Sequence, residues 1–135
     1  MKPTQDVENI LRYHFSYMLE CFRAFLQETS LNGRATSGAG ASESGVVSAF
    51  IEYSPRCDPA EEVLDAIIDI TLANNGACYE ADVCMSSGEI LAEVASTIIC
   101  YRTDQELLTF IDRQIMETRD ELLRQLMVFA KALNA

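Results

Sequence analysis

Two apolar-rich runs that meet at Asn75-Gly76 constrain the fold of this chain more than any other feature. Residues 65–72, DAIIDITL, are dense in β-branched side chains, and residues 77–85, ACYEADVCM, alternate acidic with apolar side chains. Two such runs joined by Asn-Gly form the strongest short-range signal for a β-hairpin. The pattern therefore predicts antiparallel strands on either side of this dipeptide.

The first of these runs also permits a second interpretation. Asp58, Pro59 and Glu61 resemble a helix start, and apolar residues over 62–73 fall at helical spacing. Whether 62–73 is strand or helix therefore stays open in the sequence. We expect a short helical turn near Pro59 and then a strand from about Leu64.

Strands and helices are predicted on both sides of the hairpin. GVVSAFIEYS, residues 45–54, is typical of a strand, and residues 89–101 form another after a Ser87-Gly88 turn. Residues 6–27 repeat apolar side chains every three or four positions, which indicates an amphipathic helix. Thr103-Asp104-Gln105-Glu106 forms a capping box, which predicts a C-terminal helix of about thirty residues that bends near Thr118-Arg119.

Residues 32–45, NGRATSGAGASESG, are small, polar and rich in glycine, and they predict a mobile loop that proteases cut first. The expected fold is α+β, with a four-stranded antiparallel sheet and the N- and C-terminal helices packed on one face. The length of 135 residues fits a single domain over 1–135.

The net charge of −11 argues against nucleic acid and anionic membranes as partners, because an acidic surface repels phosphates. The N-terminus lacks the apolar core of a signal peptide, and no apolar run approaches a membrane span. The five cysteines are an odd number without close CxxC pairs. We therefore expect free thiols, a cytoplasmic location and a monomer or weak dimer.

The acidic residues concentrate in the predicted sheet. Residues 46–101 hold ten acids against one base, Arg56. Strand alternation places Ile68, Ile70 and Leu72 on the side opposite Asp65 and Asp69, and Ile90, Val94 and Ile98 on the side opposite Glu89 and Glu93. If the helices cover the apolar side, six carboxylates share the open side: Asp65, Asp69, Glu80, Asp82, Glu89 and Glu93.

Two interpretations of these carboxylates remain open. They form either a solvated sheet face or a docking surface for a basic protein. Like charges on neighbouring strands lower stability, and a solvated face needs polarity rather than a single sign. The second interpretation makes these six residues candidate partner-binding residues.

No residue pattern indicates catalysis, a metal or a cofactor, so we expect a protein without enzyme activity. The single histidine, His14, lies on the apolar stripe of the first helix and is predicted to be packed rather than catalytic. Cys78 and Cys84 would lie about 20 Å apart on one strand, too far to share a metal ion. The cysteines are interpreted as small core or edge residues. The glycine-rich segment has no GxxxxGK[ST] phosphate-binding motif.

The order of these segments resembles the TriTu-type immunity proteins of bacterial polymorphic toxins. The resemblance lies in AFIEY, residues 49–53, in IIDITLANNGACYEADVCMSSGEILAEV, residues 67–94, and in YRTDQELLTFIDRQI, residues 101–115. It implies a cytoplasmic, non-catalytic inhibitor that blocks the active site of its cognate toxin. In that family the toxin would be an ADP-ribosyltransferase that modifies elongation factor Tu.

A type III secretion chaperone that binds an effector is the alternative function. Such chaperones are also small, acidic, cytoplasmic α+β proteins, but their first helix leads quickly into strands. The predicted loop at 32–45 and the lack of a clear helix between later strands disfavour them. An unrecognised enzyme is the third possibility. A toxin gene beside this one would favour immunity, and an effector gene in a secretion locus would favour the chaperone.

Overall fold

The structure consists of a five-stranded antiparallel sheet and two long helices, one before and one after the strands in the sequence. A computed structural model describes residues 3–55 and 63–134. The strands follow one another in the sheet in chain order, so the sheet is a meander. The elements are α1 (Pro3–Glu28), β1 (Arg34–Ala41), β2 (Val46–Ser54), β3 (Leu64–Ala73), β4 (Gly76–Met85), β5 (Ile90–Cys100) and α2 (Asp104–Leu133).

Both helices pack on the same face of the sheet, as the sequence predicted. α1 covers β1 and β2, and α2 covers β3, β4 and β5. The side chains beneath them are fully buried, among them Ile51, Ile68 and Tyr79. The helices lie side by side and parallel, since Arg119 stacks on the ring of Tyr17 at 4.4 Å and Lys131 lies 5.8 Å from the ring of Phe25 farther along both helices. None of the described elements covers the other sheet face.

The sheet has five strands, so the prediction of four is wrong. Residues 34–41, which we expected to be part of a loop, form β1 and pair with β2 from Arg34↔Ser54 to Ala41↔Val47. Small residues are needed here, because a Cβ at Gly38 would lie 2.9 Å from the Phe50 ring of β2. The missing side chain at Gly38 makes room for that ring.

The hairpin predicted at Asn75-Gly76 is confirmed, with its turn one residue earlier. Ala73 pairs with Gly76, so Asn74 and Asn75 form the two-residue connection. Asn75 adopts φ 61°, a left-handed conformation that asparagine tolerates. Residues 64–73 are strand, which decides against the helical alternative for them, whereas the turn expected near Pro59 lies outside the described residues.

The predicted cap of the C-terminal helix is confirmed, because the Thr103 hydroxyl accepts a 3.1 Å hydrogen bond from the Glu106 amide. α2 is helical throughout, including Thr118, where the apolar stripe is interrupted. The hydroxyl of Thr118 lies 2.6 Å from that of Tyr79. Burial raises the pKa of Tyr79 to about 12, with the Thr118 hydrogen bond opposing the shift. The polar residue that interrupts the apolar stripe of α2, Thr118, thus provides a hydrogen-bond partner for the buried Tyr79 of β4.

Candidate docking face

The uncovered face of the sheet, called the open face below, gathers six carboxylates. Five of the six predicted residues lie on it, and the sixth, Glu89, precedes β5 in the turn from β4. Glu52 of β2 also belongs to the face, although it was not among the residues predicted from the sequence. Its place beside Asp65 results from the pairing of β2 with β3, which the sequence does not show. The carboxylates of the open face are those of Glu52, Asp65, Asp69, Glu80, Asp82 and Glu93.

These carboxylates form three directly opposed pairs across neighbouring strands. The cross-strand partners are Glu52↔Asp65, Asp69↔Glu80 and Asp82↔Glu93. Directly opposed like charges destabilise a sheet. None of the ion pairs seen among the described residues involves any of the six. The strands of the face carry a single base within the described ranges, Arg34 of the edge strand β1.

Burial and mutual repulsion raise the pKa values of two carboxylates of this cluster, Asp65 and Asp82. The pKa of Asp65 rises to about 6, first because the carboxyl is partly buried and second because Glu52 opposes it. Burial and the neighbouring Glu80 and Glu93 raise the pKa of Asp82 as well. Asp69 accepts a short hydrogen bond from the Ser48 hydroxyl. A cation placed on the face would relieve the repulsion that the described side chains leave unrelieved.

Asp65→Asn is expected to stabilise the protein at pH 8 and to have no effect near pH 4. The folded pKa of Asp65, about 6, exceeds the value of about 3.9 for an unfolded chain. Its contribution to stability is therefore fully present below pH 4 and is lost as pH rises through 6. After allowance for its partial solvent exposure, the gain at pH 8 is about 1 kcal/mol.

Urea unfolding of both proteins at pH 4 and pH 8 measures this difference. Glu117→Gln is the matched control, since Glu117 is an exposed carboxylate on α2 rather than on the sheet. We expect its effect to be equally small at both pH values. An Asp65→Asn variant no more stable than the parent at pH 8 would show that the pair with Glu52 carries no net repulsion.

The predicted alternation along β5 is wrong, because the strand carries two irregularities. Opposite β4 the register skips Val94 and again Leu91. Each bulge inserts one residue and reverses which side chains face the core. Ile98 and Ile90 consequently lie on the open face, 72% and 60% exposed, instead of under the helices.

Apolar side chains thus alternate with the carboxylates of the open face. A shallow groove of about 290 Å³ is lined by Phe50 and Ile67 together with Glu52, Asp65 and Asp69. A second depression, of about 480 Å³, is lined by Cys78, Glu80, Ser96, Thr97 and Ile98. A lysine or arginine side chain has an apolar stem and a charged head, and this mixture suits both parts.

The remaining candidate groups do not come together as a reaction centre within the part of the chain that the structure describes. Burial raises the pKa of the Cys84 thiol, and Asp65 and Asp82 raise it further, which disfavours the reactive thiolate. Cys21, Cys78, Cys84 and Cys100 are free, while Cys57 lies outside the described residues. Cys78 and Cys100 are exposed on the open face; Cys100 lies on the edge strand β5, as the interpretation allows, but Cys78 on β4 is neither a core nor an edge residue. Within residues 3–55 and 63–134, no three side chains converge to hold a metal ion.

His14 is packed between the helices, as predicted. It is 1% exposed, and its Nε2 lies 2.7 Å from Oδ1 of Asp112. Its Nδ1 lies 2.9 Å from Nη1 of Arg119. Because a guanidinium only donates hydrogen bonds, Nδ1 accepts and Nε2–H donates to the carboxylate. Both ring nitrogens are therefore occupied, and neither can serve a nucleophile.

No protein family, curated protein or solved structure matches this chain. Neither helix, over the part that the structure describes, is long and apolar enough to cross a membrane. The open face is therefore the feature of the molecule that bears on function.

Proposed function

We propose that this protein is an immunity protein that binds a cationic bacterial toxin through the open face and blocks its active site. The observation that carries the proposal is the set of three opposed carboxylate pairs on one exposed sheet face. A sheet face whose only role is contact with solvent could carry both acidic and basic side chains without electrostatic cost. A face with six carboxylates and a single described base, Arg34, gains from a partner with lysine and arginine side chains.

The dimensions of the face suit a protein partner. Five strands about 4.8 Å apart and about nine residues long span roughly 24 Å by 30 Å, or about 700 Å². A standard protein–protein interface buries about 800 Å² on each partner. The partly exposed apolar side chains of Phe50, Ile90 and Ile98 lie among the carboxylates and can supply desolvated contacts. Nucleic acid is disfavoured, because its phosphates would meet the acidic residues.

Charge and apolar contacts would act at different stages of binding. Complementary charge speeds encounter, so association should slow as salt screens the field. The apolar residues and the grooves beside them would then set the rate of dissociation. A toxin whose basic active-site cleft lies on this face can no longer admit its substrate. The resemblance to TriTu-type immunity proteins suggests an ADP-ribosyltransferase as that toxin.

The chaperone alternative gains from one structural observation. The loop that disfavoured it is largely strand β1, so the first helix leads directly into strands. The second argument against it stands within the described ranges, because β3, β4 and β5 follow one another without a helix. In a secretion chaperone the bound partner would be an effector rather than a toxin. We retain it as the second candidate.

The test is to replace Glu80 and Asp82 together by lysine. Each new lysine faces a carboxylate across the strands, Asp69 or Glu93, so the fold should be stabilised rather than weakened. We expect association with the toxin encoded by the neighbouring gene to slow about 10- to 100-fold at low salt. Co-expression with that toxin should no longer allow growth.

The control is the pair Glu20→Lys and Glu117→Lys, which makes the same change in net charge on exposed helix positions. This variant should bind and protect like the parent. Circular dichroism establishes that both variants fold. If the Glu80→Lys/Asp82→Lys protein folds and still protects, the open face is a solvated surface and the proposal fails.

A further inference from the structure

The two edge strands of the sheet, β1 and β5, differ in whether side chains bond to their outward-pointing backbone groups. On β1, the outward-pointing carbonyls are those of residues that do not bond to β2. Arg12 donates to the Ala39 carbonyl at 2.8 Å, and Arg23 donates to the Ala35 carbonyl at 2.7 Å. These α1 side chains occupy the groups that an added strand would need. Natural sheets protect exposed edges in this way.

Among the residues that the structure describes, none protects the β5 edge in this way. Tyr101 donates its amide to the Asn75 carbonyl, so its backbone groups point towards the sheet. Backbone direction alternates along a strand, and the outward groups are therefore those of Ser96, Ile98 and Cys100. No described side chain bonds to these backbone groups. Residues 95–100, ASTIIC, carry no charge and are rich in residues that favour strands.

Space for another strand lies beside this edge. A groove of about 290 Å³ separates the β5 edge from α2 and is lined by Thr97, Ile98, Ile99, Cys100, Phe110, Arg113 and Gln114. The side chain of Ile98, 72% exposed, stands at its margin. An unpaired, uncharged edge with an exposed isoleucine is the arrangement that invites strand addition.

We propose that a second copy of this chain pairs with the β5 edge, antiparallel and with the twofold axis at Ile98. Antiparallel pairing about a twofold axis perpendicular to the sheet matches each residue with one on the same face. Ile98 then faces Ile98 of the second copy, and Ser96 faces Cys100 of the second copy. All three have outward backbone groups, so the register forms about six interchain hydrogen bonds.

The lack of charge along the edge suits this occupant and this register. Glu93 lies five residues from the axis, which separates it from its equivalent by about 33 Å, well beyond the screening length of about 8 Å. Arg102, just after β5, comes opposite the segment of the second copy that carries Glu93. A cationic peptide would find no carboxylate along residues 95–100, whereas a second copy supplies the same uncharged strand.

The assembly would extend the sheet to ten strands and keep both open faces on the same side. Two acidic faces would then stand side by side, with the helices of both copies on the opposite side. This inference goes beyond the proposed function and does not depend on it, because the pairing edge is tested without any toxin.

Sedimentation or light scattering of the full chain should give twice the mass of 15.0 kDa at micromolar concentration. Ile98→Pro should make it monomeric, because proline removes the outward amide at the axis while no hydrogen bond within the monomer is lost. Ile90→Pro is the control at an exposed position eight residues from the axis, and it should remain dimeric. A parent that is monomeric at 100 µM, or an Ile98→Pro variant that is still dimeric, overturns the proposal.

Cross-linking tests the register independently of any folding defect in the proline variant. Ile98→Cys is introduced into a chain whose Cys57, Cys78 and Cys100 are serine. Residues facing each other in a hydrogen-bonded pair have Cα atoms about 5.5 Å apart, within disulfide range. Mild oxidation should link most of the protein as dimers, while Ile90→Cys in the same background should stay unlinked. Equal linking of the two variants would contradict an axis at Ile98.

Discussion

Gly33→Ala is expected to lower the free energy of unfolding by about 3 kcal/mol. Gly33 adopts φ 131°, which a residue with a Cβ rarely occupies. An added Cβ would also lie 2.4 Å from the carbonyl oxygen of Ser54 and 2.6 Å from Cε1 of Tyr53. The first of these atoms is backbone of the neighbouring strand and cannot move aside alone. Urea unfolding followed by circular dichroism measures the loss.

Gly40→Ala is the matched control for this prediction. Gly40 lies in β1, the strand that Gly33 precedes, and nothing stands within 4 Å of an added Cβ. Alanine at such a site reduces the freedom of the unfolded chain, so the expected change is between zero and about 1 kcal/mol of stabilisation. If the two alanine variants were equally stable, the segment before β2 would not be held in the conformation seen here.

Strand β1 could not be predicted from the sequence, because its local signals are weak. The segment RATSGAGA has neither the β-branched residues nor the alternation that indicate a strand. Its place in the sheet depends on long-range features: an unpaired β2 edge, room for Phe50 over Gly38, and arginines of α1 that bond its carbonyls. None of these is visible in a short sequence window.

Elements with strong local signals were predicted well. The Asn-Gly signal gave the β3–β4 hairpin, and the threonine cap gave the start of α2. The acids of β3 and β4 were correctly placed on one face, because those two strands alternate without interruption. The prediction of which β5 side chains face the core failed, because the two bulges have no sequence signature. Each bulge reverses the alternation that follows it. The exposed isoleucines used in both proposals therefore came only from the structure.

His14→Leu is expected to lower the free energy of unfolding by about 3 kcal/mol, and to leave protection against the toxin intact. The substitution removes two hydrogen bonds with charged partners, each worth about 1.5–3 kcal/mol, from a site that is 1% exposed. Part of the loss is offset, because leucine fills the space and Arg119 still stacks on Tyr17. Thermal unfolding together with the co-expression assay measures both effects.

Asp112→Asn is the control, since the amide oxygen can still accept from Nε2 of His14 and Asp112 itself is largely exposed. Its expected destabilisation is below about 1 kcal/mol. The pair of variants also tests the absence of catalysis. A histidine–aspartate pair that acted as a general base would lose its function in both variants, even at temperatures where both are folded. A purely structural pair loses stability in one variant and protection in neither, as expected of an inhibitor that acts through its open sheet face.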